Sequence, residues 1–351
     1  MKLPPLPVFF PDATRGLIKS LDTTDIENTK TNGILVNTYH LYKDLGIEYI
    51  KARGGIKKFM SWKGYVISDS GGFQVGSLIK HHSSNDKNNP SEGFVNNSGA
   101  TFKPKGEKIV KLTPEKSIEF QMELGSDMVV VLDDFDTEGG TKKSTKISVE
   151  RTIGWAKRSK AEFDRICSNL KHTAYNKPLI LGVVQGGRFP DLRKYCTQEL
   201  VKIGFDGLGY GGDGKGEKGI NYEMAQVIAD NCPKDYLLYG LGLGKPEDIV
   251  ALYKIGFNIF DCVLPTRDAR HGRAYVFKDE LFGYEFVDLT KGRMMTEDIK
   301  LSDRCDCLTC QRYTRSYLAH LFKTGDSTAG RLVTIHNLRF YSMLMEKLGS
   351  N

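Results

Sequence analysis

Short uninterrupted apolar runs alternate with helix-like segments along most of this chain, and this alternation strongly constrains its fold. The runs lie at residues 33–37, 65–69, 127–133, 179–184, 207–211, 236–241 and 258–261. Helical patterns lie between them at residues 114–124, 152–169, 191–203 and 221–231. Strands without polar alternation are typical of parallel sheets that helices cover on both faces. The sequence therefore predicts an α/β protein built on a parallel sheet.

Polar side chains stand where four of these runs stop, and they are Asp69, Asp133, Gln185 and Asp261. In a (β/α)₈ TIM barrel, the carboxyl ends of the strands form the rim on which active sites are built. An open, doubly wound sheet also binds its ligands at the carboxyl ends of its strands. We predict the barrel and keep the doubly wound sheet as the alternative. The phosphate-binding loop G-x-x-x-x-G-K-[ST] does not occur, so the sequence does not indicate a nucleotide cofactor.

Two segments interrupt the alternation of strands and helices. Residues 81–99 are rich in Ser, Asn and charged side chains, and we interpret them as a mobile insertion after the second predicted strand. Residues 275–336 combine hairpin-like stretches with a cysteine cluster. We therefore predict a barrel domain formed by residues 1–274 and 337–351, with a zinc-binding subdomain inserted at residues 275–336.

Composition and charge narrow the class of protein. Hydrophobic residues make up 40% of the chain and charged residues 26%, as in ordinary globular proteins. The longest apolar runs fall far short of the roughly 18 residues that a membrane span needs, and no signal-peptide pattern follows Met1. We therefore expect no membrane partner and a cytoplasmic location. The net charge of +7 suits a polyanionic partner, although many basic cytosolic enzymes bind no nucleic acid.

Three of the seven cysteines, Cys305, Cys307 and Cys310, form a C-x-C-x₂-C cluster. Three thiolates at this spacing suit one tetrahedral soft cation, so we predict a structural Zn²⁺. The fourth ligand has two candidates: His336, which lies beyond a helix-like stretch at 311–323, and His320. A closed Cys₃His site has no open position for water, which disfavours a catalytic zinc. The alternative is that these cysteines are reduced core residues without a metal.

Two strand-end motifs carry the acids that are the candidates for chemistry. D-S-G-G-F-Q at 69–74 places two glycines after Asp69, so the backbone can approach a ligand closely, and Phe73 offers an apolar face. F-D-C-V-L-P-T-R at 260–267 puts Asp261 before a basic run of Arg267, Arg270, His271 and Arg273. Alone, the first motif can be a capped turn and the second a solvated ion-pair surface. Together, two carboxylates on one rim beside a basic run and a cysteine cluster indicate a functional site.

With these motifs in order, the sequence closely resembles the tRNA-guanine transglycosylases, also called queuine tRNA-ribosyltransferases. The resemblance spans about residues 8–346 and implies a (β/α)₈ barrel with a zinc subdomain. It also implies an enzyme that exchanges a guanine in tRNA for a 7-deazaguanine base without breaking the phosphate backbone. The matching motifs are N-T-Y-H-L at 37–41, D-S-G-G-F-Q at 69–74, L-T-P-E-K-S at 112–117, V-Q-G-G at 184–187, F-D-C-V-L-P-T-R at 260–267 and the spacing from Cys305 to His336.

The resemblance implies roles for individual residues. Asp261 is expected to be the nucleophile that bonds to ribose C1′, and Asp69 the general acid and base. The basic run is expected to contact phosphates on either side of a flipped-out wobble guanine. The residues expected to bind the free base are Asp133, Gln185, Gly212, Phe73 and Ser70.

The chain departs from the common bacterial pattern in the loop after Gly212. This loop has the sequence D-G-K-G-E at 213–217 where bacterial members carry an apolar stretch, and Phe135 stands where a Cys is usual. Glycines on both sides of Lys215 leave room for a large 7-substituent, so we expect queuine or a similarly large base. The alternative is 7-aminomethyl-7-deazaguanine.

Three further expectations concern partners and competing functions. Tyr313, Tyr317 and His320 match, at helical spacing, family positions that pack across a two-fold interface, so the resemblance implies a homodimer. The alternative is that they pack inside their own subunit. A non-catalytic tRNA-binding subunit is disfavoured because the acids of the family are present. A related enzyme acting on DNA is disfavoured by the intact 260–267 motif.

Overall fold

Eight parallel strands form one continuous sheet at the centre of the molecule. The computed structural model describes residues 3–72, 93–102, 110–135, 140–170, 177–212, 215–216 and 219–350. The strands are Val8–Pro11, Gly33–Asn37, Tyr65–Asp69, Met128–Val130, Leu179–Val184, Gly207–Tyr210, Leu237–Gly240 and Ile259–Cys262. Each strand pairs with its neighbours in chain order, and Val8–Pro11 pairs with the last strand. A doubly wound sheet reverses its strand order at a switch point, and this sheet does not.

The two edges of the sheet meet and all but close it into a barrel. Asp12, just beyond the first strand, forms a parallel bridge with Leu35 in the second. The Ala13 N–H donates to the Leu35 carbonyl at 2.7 Å, and the Asn37 N–H donates to the Thr14 carbonyl at 3.1 Å. The predicted (β/α)₈ barrel is therefore confirmed, and the doubly wound alternative is wrong.

Alternate side chains of these strands fill the barrel interior, and the others pack against the outer helices. The interior cluster includes Phe10, Ile67, Leu181 and Ile259, all of them buried. Both faces of each strand are therefore apolar, which is why the strands appear in the sequence as continuous runs.

Helices follow the strands and begin and end at capping residues. Thr113 accepts the Lys116 N–H at the start of Pro114–Leu124, and Gly125 ends that helix in the left-handed conformation at φ 71°. The other outer helices are Lys142–Asn169, Pro190–Ile203, Tyr222–Asp230, Pro246–Ile255 and Leu264–Arg270. Four shorter helices lie near the N-terminus, at Thr23–Asn28, Thr38–Asp44, Ile47–Ala52 and Ile56–Met60. Within the described ranges, no helix is long and apolar enough to span a membrane.

Within the described residues, three small antiparallel sheets and a late group of helices complete the fold. One sheet joins Gly93–Asn96, Gly99–Phe102 and Val110–Leu112, so the end of the predicted mobile insertion is an ordered hairpin. Residues 81–92 of that insertion lie outside the described residues. The second sheet is the hairpin Arg273–Phe277 with Tyr284–Asp288, and Lys215–Gly216 pairs with Gly219–Ile220.

The C-terminal part of the chain has its own core. A 3₁₀ turn at Gly292–Thr296 precedes helices Leu308–Arg312, Arg315–Thr324 and Ser327–Gly349. The helix-like stretch expected at 311–323 is thus divided, because Tyr313 is extended. The last helix crosses the expected domain boundary at residue 336. Its first half packs in the core of the subdomain and its second half packs on the barrel.

Candidate functional site

The barrel brings the four strand-end polar residues to one rim. Asp69 ends Tyr65–Asp69, and Gln185 directly follows Leu179–Val184. Asp133 follows Met128–Val130 after a short extended stretch, and Asp261 lies within Ile259–Cys262. Burial raises the pKa of both Asp133 and Asp261, and the negative charge of Asp69 adds to each rise, so Asp69 lies within electrostatic range of both.

Asp261 is the most enclosed of the three acids, with 6% of its surface exposed. Its Oδ1 accepts hydrogen bonds from the Tyr239 hydroxyl at 2.6 Å and from the Gly242 N–H at 2.7 Å. Burial raises the pKa of Asp261 to about 7, and these two donors oppose that rise. Near neutral pH this carboxyl can therefore act as a desolvated anion whose orientation is fixed by two donors.

Asp69 lies on the same rim, at the end of strand Tyr65–Asp69. Its Oδ2 accepts a hydrogen bond from Nδ2 of Asn37 at 2.7 Å. Burial raises the pKa of Asp69 to about 6, while the backbone N–H groups of Gly71 and Ser70 and the Asn37 amide lower it. A carboxyl with a pKa near 6 can both give and take a proton at physiological pH.

Asp133 and Gln185 form a pair across the rim. Nε2 of Gln185 donates to Oδ2 of Asp133 at 2.6 Å. Burial raises the pKa of Asp133 to about 7, with the hydrogen bond from Gln185 opposing it. Oε1 of Gln185 is buried and has no hydrogen-bond partner among the residues that the structure describes. A buried unpartnered acceptor beside a carboxyl is a polar edge prepared for a ligand.

Glycines bring the backbone into close contact with this polar pair. A Cβ on Gly212 would lie 2.3 Å from Oε1 of Gln185, and a Cβ on Gly72 would lie 2.8 Å from Oδ1 of Asp133. Gly212 also has a positive φ of 74°, which side-chain-bearing residues rarely adopt. The backbone at these two positions can therefore pack directly on the two polar side chains, and a larger residue at either position would displace them.

The remaining predicted base-binding residues lie in the segment after Asp69. Ser70 is fully buried, its Oγ accepts the Gly72 N–H at 3.2 Å, and its carbonyl accepts the Ser117 hydroxyl at 3.2 Å. Ser70 therefore fixes the backbone of the D-S-G-G turn. Phe73 lies outside the described residues.

The basic run lies beside Asp261, on helix Leu264–Arg270 and the turn after it. Arg267 and Arg273 have about half of their side chains exposed, at 52% and 54%, and both contact Asp268, at 3.5 and 3.9 Å. Nη1 of Arg270 donates to the Thr266 carbonyl at 2.8 Å, and His271 is exposed. The structure thus places four cationic or titratable side chains at the edge of the rim that carries the acids.

The cysteine cluster and His336 converge in the C-terminal subdomain. The ligand atoms of Cys305, Cys307, Cys310 and His336 all lie within 4.8 Å of one another. Sγ of Cys310 is 3.2 Å from Nδ1 of His336, and Nε2 of the same ring is 2.8 Å from the Tyr275 carbonyl. A ring that donates from Nε2 leaves Nδ1 free for a metal. The four donors can hold a metal ion, and their chemistry is compatible with zinc.

His320 lies apart from this cluster, on the exposed face of helix Arg315–Thr324. Tyr313 and Tyr317 stack on each other, with ring centroids 5.3 Å apart and an interplanar angle of 19°. Tyr317 is 43% exposed. These aromatic side chains therefore form a surface patch of the subdomain.

Three donors to the acids were not predicted as site residues: Tyr239, Gly242 and Asn37. Each donates a hydrogen bond to one of the acids. A tyrosine inside an apolar strand is a weak signal, because its hydroxyl needs a partner when it is buried. Asn37 ends its strand, as the four polar residues do. Gly242 acts only through its backbone, which gives no signal in side-chain patterns.

Comparison with known proteins agrees with this geometry. The family model described as queuine tRNA-ribosyltransferase matches residues 4–350. The queuine tRNA-ribosyltransferase of Blochmanniella pennsylvanica is 39% identical over 346 residues, which cover 97% of this chain and 87% of the relative. The proteins of the same name from Actinobacillus pleuropneumoniae serotype 5b and Aliivibrio fischeri strain MJ11 are 38% and 37% identical, each over 97% of this chain and over 84% and 85% of their own lengths. This chain belongs to the queuine tRNA-ribosyltransferase family.

Proposed function

We propose that this protein is a tRNA-guanine transglycosylase, a pentosyltransferase that exchanges the wobble guanine of tRNA for a 7-deazaguanine base. The observation that carries the proposal is the set of three raised-pKa carboxyls around one rim. Two of them have donors that orient them, and the third, Asp133, is paired with Gln185, on which the backbone of Gly212 packs closely. Double displacement at a ribose needs these parts: a nucleophile, an acid and base, and a site for the base.

In the first half-reaction, a carboxylate oxygen of Asp261 attacks C1′ of the ribose. The bond from C1′ to the guanine nitrogen breaks, and that nitrogen takes the proton of Asp69. A covalent ribosyl-aspartate remains, and the phosphate backbone stays intact. Burial raises the pKa of Asp261 to about 7 and that of Asp69 to about 6, so both carboxyls titrate near neutral pH, and their separate roles follow the family resemblance.

In the second half-reaction, the incoming base gives its ring proton to Asp69 and its nitrogen bonds to C1′ as the bond to Asp261 breaks. Asp133 accepts from the N–H and amino donors of the guanine-like edge, and Gln185 serves the carbonyl edge. The backbone at Gly212 and Ser70 lines the site, and Phe73 stacks on the ring. The unpartnered Oε1 of Gln185 supports a ligand at this position.

The tRNA is bound through the basic run beside Asp261. Arg267, Arg270, His271 and Arg273 contact phosphates on either side of the flipped-out nucleotide. The exposure of Arg267 and Arg273 supports this role. We expect affinity for tRNA to fall with rising salt, because binding releases counterions. Since the substrate is tRNA, we propose that the enzyme acts in the cytoplasm.

We propose that Cys305, Cys307, Cys310 and His336 bind one Zn²⁺ that has a structural role. When bound, the ion closes a tetrahedral site and stabilises the fold of the subdomain. The subdomain is proposed to comprise residues 275–336, with the barrel domain formed by residues 1–274 and 337–351. The contact between Nε2 of His336 and the Tyr275 carbonyl orients the ring, and it supports the proposed zinc ligands.

We propose that the incoming base is queuine or a similarly large 7-deazaguanine. The proposal rests on the glycines that flank Lys215 in the sequence and on the short hairpin that Lys215–Gly216 forms with Gly219–Ile220. Competition between the two free bases tests it. A kcat/KM clearly higher for 7-aminomethyl-7-deazaguanine than for queuine would reverse the choice.

We also propose that the protein forms a homodimer through the patch of Tyr313, Tyr317 and His320. The exposure of the stacked tyrosines supports an interface there. Sedimentation of the intact protein and of Tyr317→Ala would test it. The proposal requires a dimer that weakens in the variant, and a monomer at every concentration of the intact protein contradicts it.

The decisive experiment on function is exchange of radiolabelled guanine into unfractionated tRNA, with Asp261→Ala as the variant and the exposed Asp235→Ala as the control. We expect Asp261→Ala to lose exchange and to lose the covalent tRNA adduct on a denaturing gel, while its thermal unfolding and tRNA binding stay close to those of the control. An adduct that persists in Asp261→Ala would show that another residue is the nucleophile. Intact protein that binds tRNA without any exchange would instead indicate a non-catalytic subunit.

A further inference from the structure

Side chains of the C-terminal helix Ser327–Gly349 form hydrogen bonds with the segments on both sides of Asp261. Tyr341 of this helix is buried, and its hydroxyl donates to the Gly244 carbonyl at 2.6 Å. The ring of Tyr341 packs on Phe9, with centroids 4.4 Å apart. Its hydroxyl thus contacts the turn that follows strand Leu237–Gly240, and it also lies within hydrogen-bond reach of the Tyr275 hydroxyl.

That turn also supplies a donor to Asp261. The Leu243 N–H bonds back to the Gly240 carbonyl at 3.2 Å, which makes the turn tight. Gly242, at φ 67°, directs its N–H at Oδ1 of Asp261 at 2.7 Å. Two residues later, Gly244 is packed so closely on Cys262 that an added Cβ would lie 1.9 Å from its Sγ. The position of Gly244 therefore determines where the Gly242 N–H points.

The same helix fixes the other side of the Asp261 segment. Asn337 is fully buried and donates from Nδ2 to the carbonyls of Pro265 and Arg273, both at 3.0 Å. Its Oδ1 accepts the Tyr275 N–H at 3.1 Å. Asp261 thus lies between two segments, each held by a buried side chain of the helix that also carries His336.

We propose that Tyr341 is a positioning residue for the reaction: by holding the Gly244 carbonyl it keeps the Gly242 N–H on Oδ1 of Asp261. The proposal rests on the proposed role of Asp261 as nucleophile. Tyr341 does not touch the base-binding pair of Asp133 and Gln185, so its effect is on the chemical step and not on binding of the base.

Loss of the Tyr341 hydroxyl is expected to change the pH dependence of the reaction through the pKa of Asp261. The Gly242 N–H favours the ionised form of Asp261, so a looser turn raises the pKa of this carboxyl further. The ionisable groups that act on Asp261 are Tyr239, which donates to it, the acids Asp69 and Asp12, which repel it, and the adjacent Cys262 thiol. All of them remain in Tyr341→Phe. Because the pKa of Asp261 lies above that of Asp69, a further rise in the pKa of Asp261 moves the alkaline limb of the pH profile, and such a shift reports on the turn.

The test compares Tyr341→Phe with Thr334→Val. Both variants remove one buried hydroxyl from the same helix and keep its shape, but within the described part of the chain the Thr334 hydroxyl bonds only to the Gly330 carbonyl of its own helix. For Tyr341→Phe we expect kcat for guanine exchange to fall about tenfold with KM for guanine nearly unchanged, because small displacements of a reacting group are costly. We expect the alkaline limb of its pH profile to move up by roughly half a pH unit. Thr334→Val should show neither change, and both variants should keep the zinc content of the intact protein.

The outcomes separate this proposal from the proposed function. All assays are run well below the measured Tm of each variant, so that lower stability does not imitate lower kcat. If Asp261→Ala loses exchange but Tyr341→Phe has the kcat and pH profile of Thr334→Val, the positioning role is wrong and the proposed function stands. A fall in kcat without a shift of the alkaline limb also overturns it. If Asp261→Ala keeps exchange, the proposed function itself fails.

Discussion

Asn37 and Asp69 are paired both through their backbones and through their side chains. They are register partners at the ends of adjacent parallel strands, and Nδ2 of Asn37 donates to Oδ2 of Asp69 at 2.7 Å. Oδ1 of the same amide accepts the His40 N–H at 3.2 Å and caps helix Thr38–Asp44. One side chain therefore starts a helix and orients the proposed acid and base.

We predict that Asn37→Asp raises the pKa of Asp69 above its present value of about 6. The substitution keeps the oxygen that caps the helix, but it replaces the donor with a second negative charge next to Asp69. Because the pKa of Asp69 lies below that of Asp261, the acid limb of kcat/KM should therefore move to higher pH. Asn32→Asp, at an exposed position before the same strand, is the control. An acid limb that stays in place would show that Asp69 is not the titrating acid.

Asp261→Asn is predicted to stabilise the protein at alkaline pH. Burial raises the folded-state pKa of Asp261 to about 7, so the fold favours the protonated carboxyl. Its contribution to the free energy of unfolding is fully present below the unfolded-state pKa and is lost as pH rises through about 7. Asparagine keeps an oxygen for Tyr239 and Gly242 and never ionises. The gain at pH 8 has a ceiling of about 4 kcal/mol, at ~1.4 kcal/mol for each pKa unit.

Thermal unfolding at pH 5 and pH 8 tests this sign. The Tm of Asp261→Asn, relative to the intact protein, should be higher at pH 8 than at pH 5. Asp303→Asn, at an exposed acid of the subdomain, should show no such difference. If Asp261→Asn is equally destabilised at both pH values, burial does not disfavour the ionised form of Asp261, and the prediction is wrong.

Cys307→Ala is predicted to lose the metal and destabilise the subdomain. Metal binding free energy is also folding free energy, so loss of one ligand of a closed site should cost about 3–5 kcal/mol. Cys167→Ala, at a half-buried cysteine outside the cluster, is the matched control. Metal analysis and calorimetry provide the measurements. About one zinc per chain retained in Cys307→Ala would refute the Cys₃His assignment.

Gly212→Ala is predicted to weaken binding of the free base. Its new Cβ would lie 2.3 Å from Oε1 of Gln185, and the φ of 74° adds backbone strain. Gly204→Ala has a similar strain, at φ 88°, but its Cβ would meet open space. We expect KM for guanine to rise about tenfold only in Gly212→Ala, because one lost polar contact costs on the order of 1–3 kcal/mol. Equal KM values in the two variants would place the base elsewhere.

The barrel was predictable from sequence where apolar runs end sharply at a polar residue or glycine. Gly33–Asn37, Tyr65–Asp69 and Leu179–Val184 have the bounds that the pattern predicts. The first strand, Val8–Pro11, was missed because the prolines around it are typical of an extended tail. Helix Lys142–Asn169 begins ten residues before the predicted start at 152, because the buried side chains of its first turns are small and polar, such as Thr145 and Ser148.

The site was predictable only in its side-chain chemistry. Acids at strand ends and three close cysteines can be recognised along the chain, and the family spacing favoured His336 over His320 as the fourth ligand. The two histidines lie on different helices, and the fold alone directs His336 to the thiols. Backbone donors, such as the Gly242 N–H, depend on turn geometry, which the residue type does not reveal.

Arg193 links the two loops that carry Gln185 and Gly212. It is fully buried, and its guanidinium donates to the carbonyls of Val184 at 2.9 Å, Gly187 at 3.0 Å and Gly211 at 2.7 Å. Its charge also lies 4.4 Å from the centre of the Tyr210 ring. One planar group therefore fixes the backbone on both sides of the proposed base site.

We predict that Arg193→Lys raises KM for guanine about tenfold and lowers Tm, because an ammonium group cannot reproduce the fork of donors that spans three carbonyls. Arg158→Lys is the control: Arg158 also bonds to a backbone carbonyl, that of Asn97 at 2.7 Å, but on the outer surface of the barrel. It should lower Tm without changing KM. If Arg193→Lys lowers Tm but leaves KM at the value of Arg158→Lys, the two loops keep their positions without the guanidinium, and Arg193 contributes to stability alone.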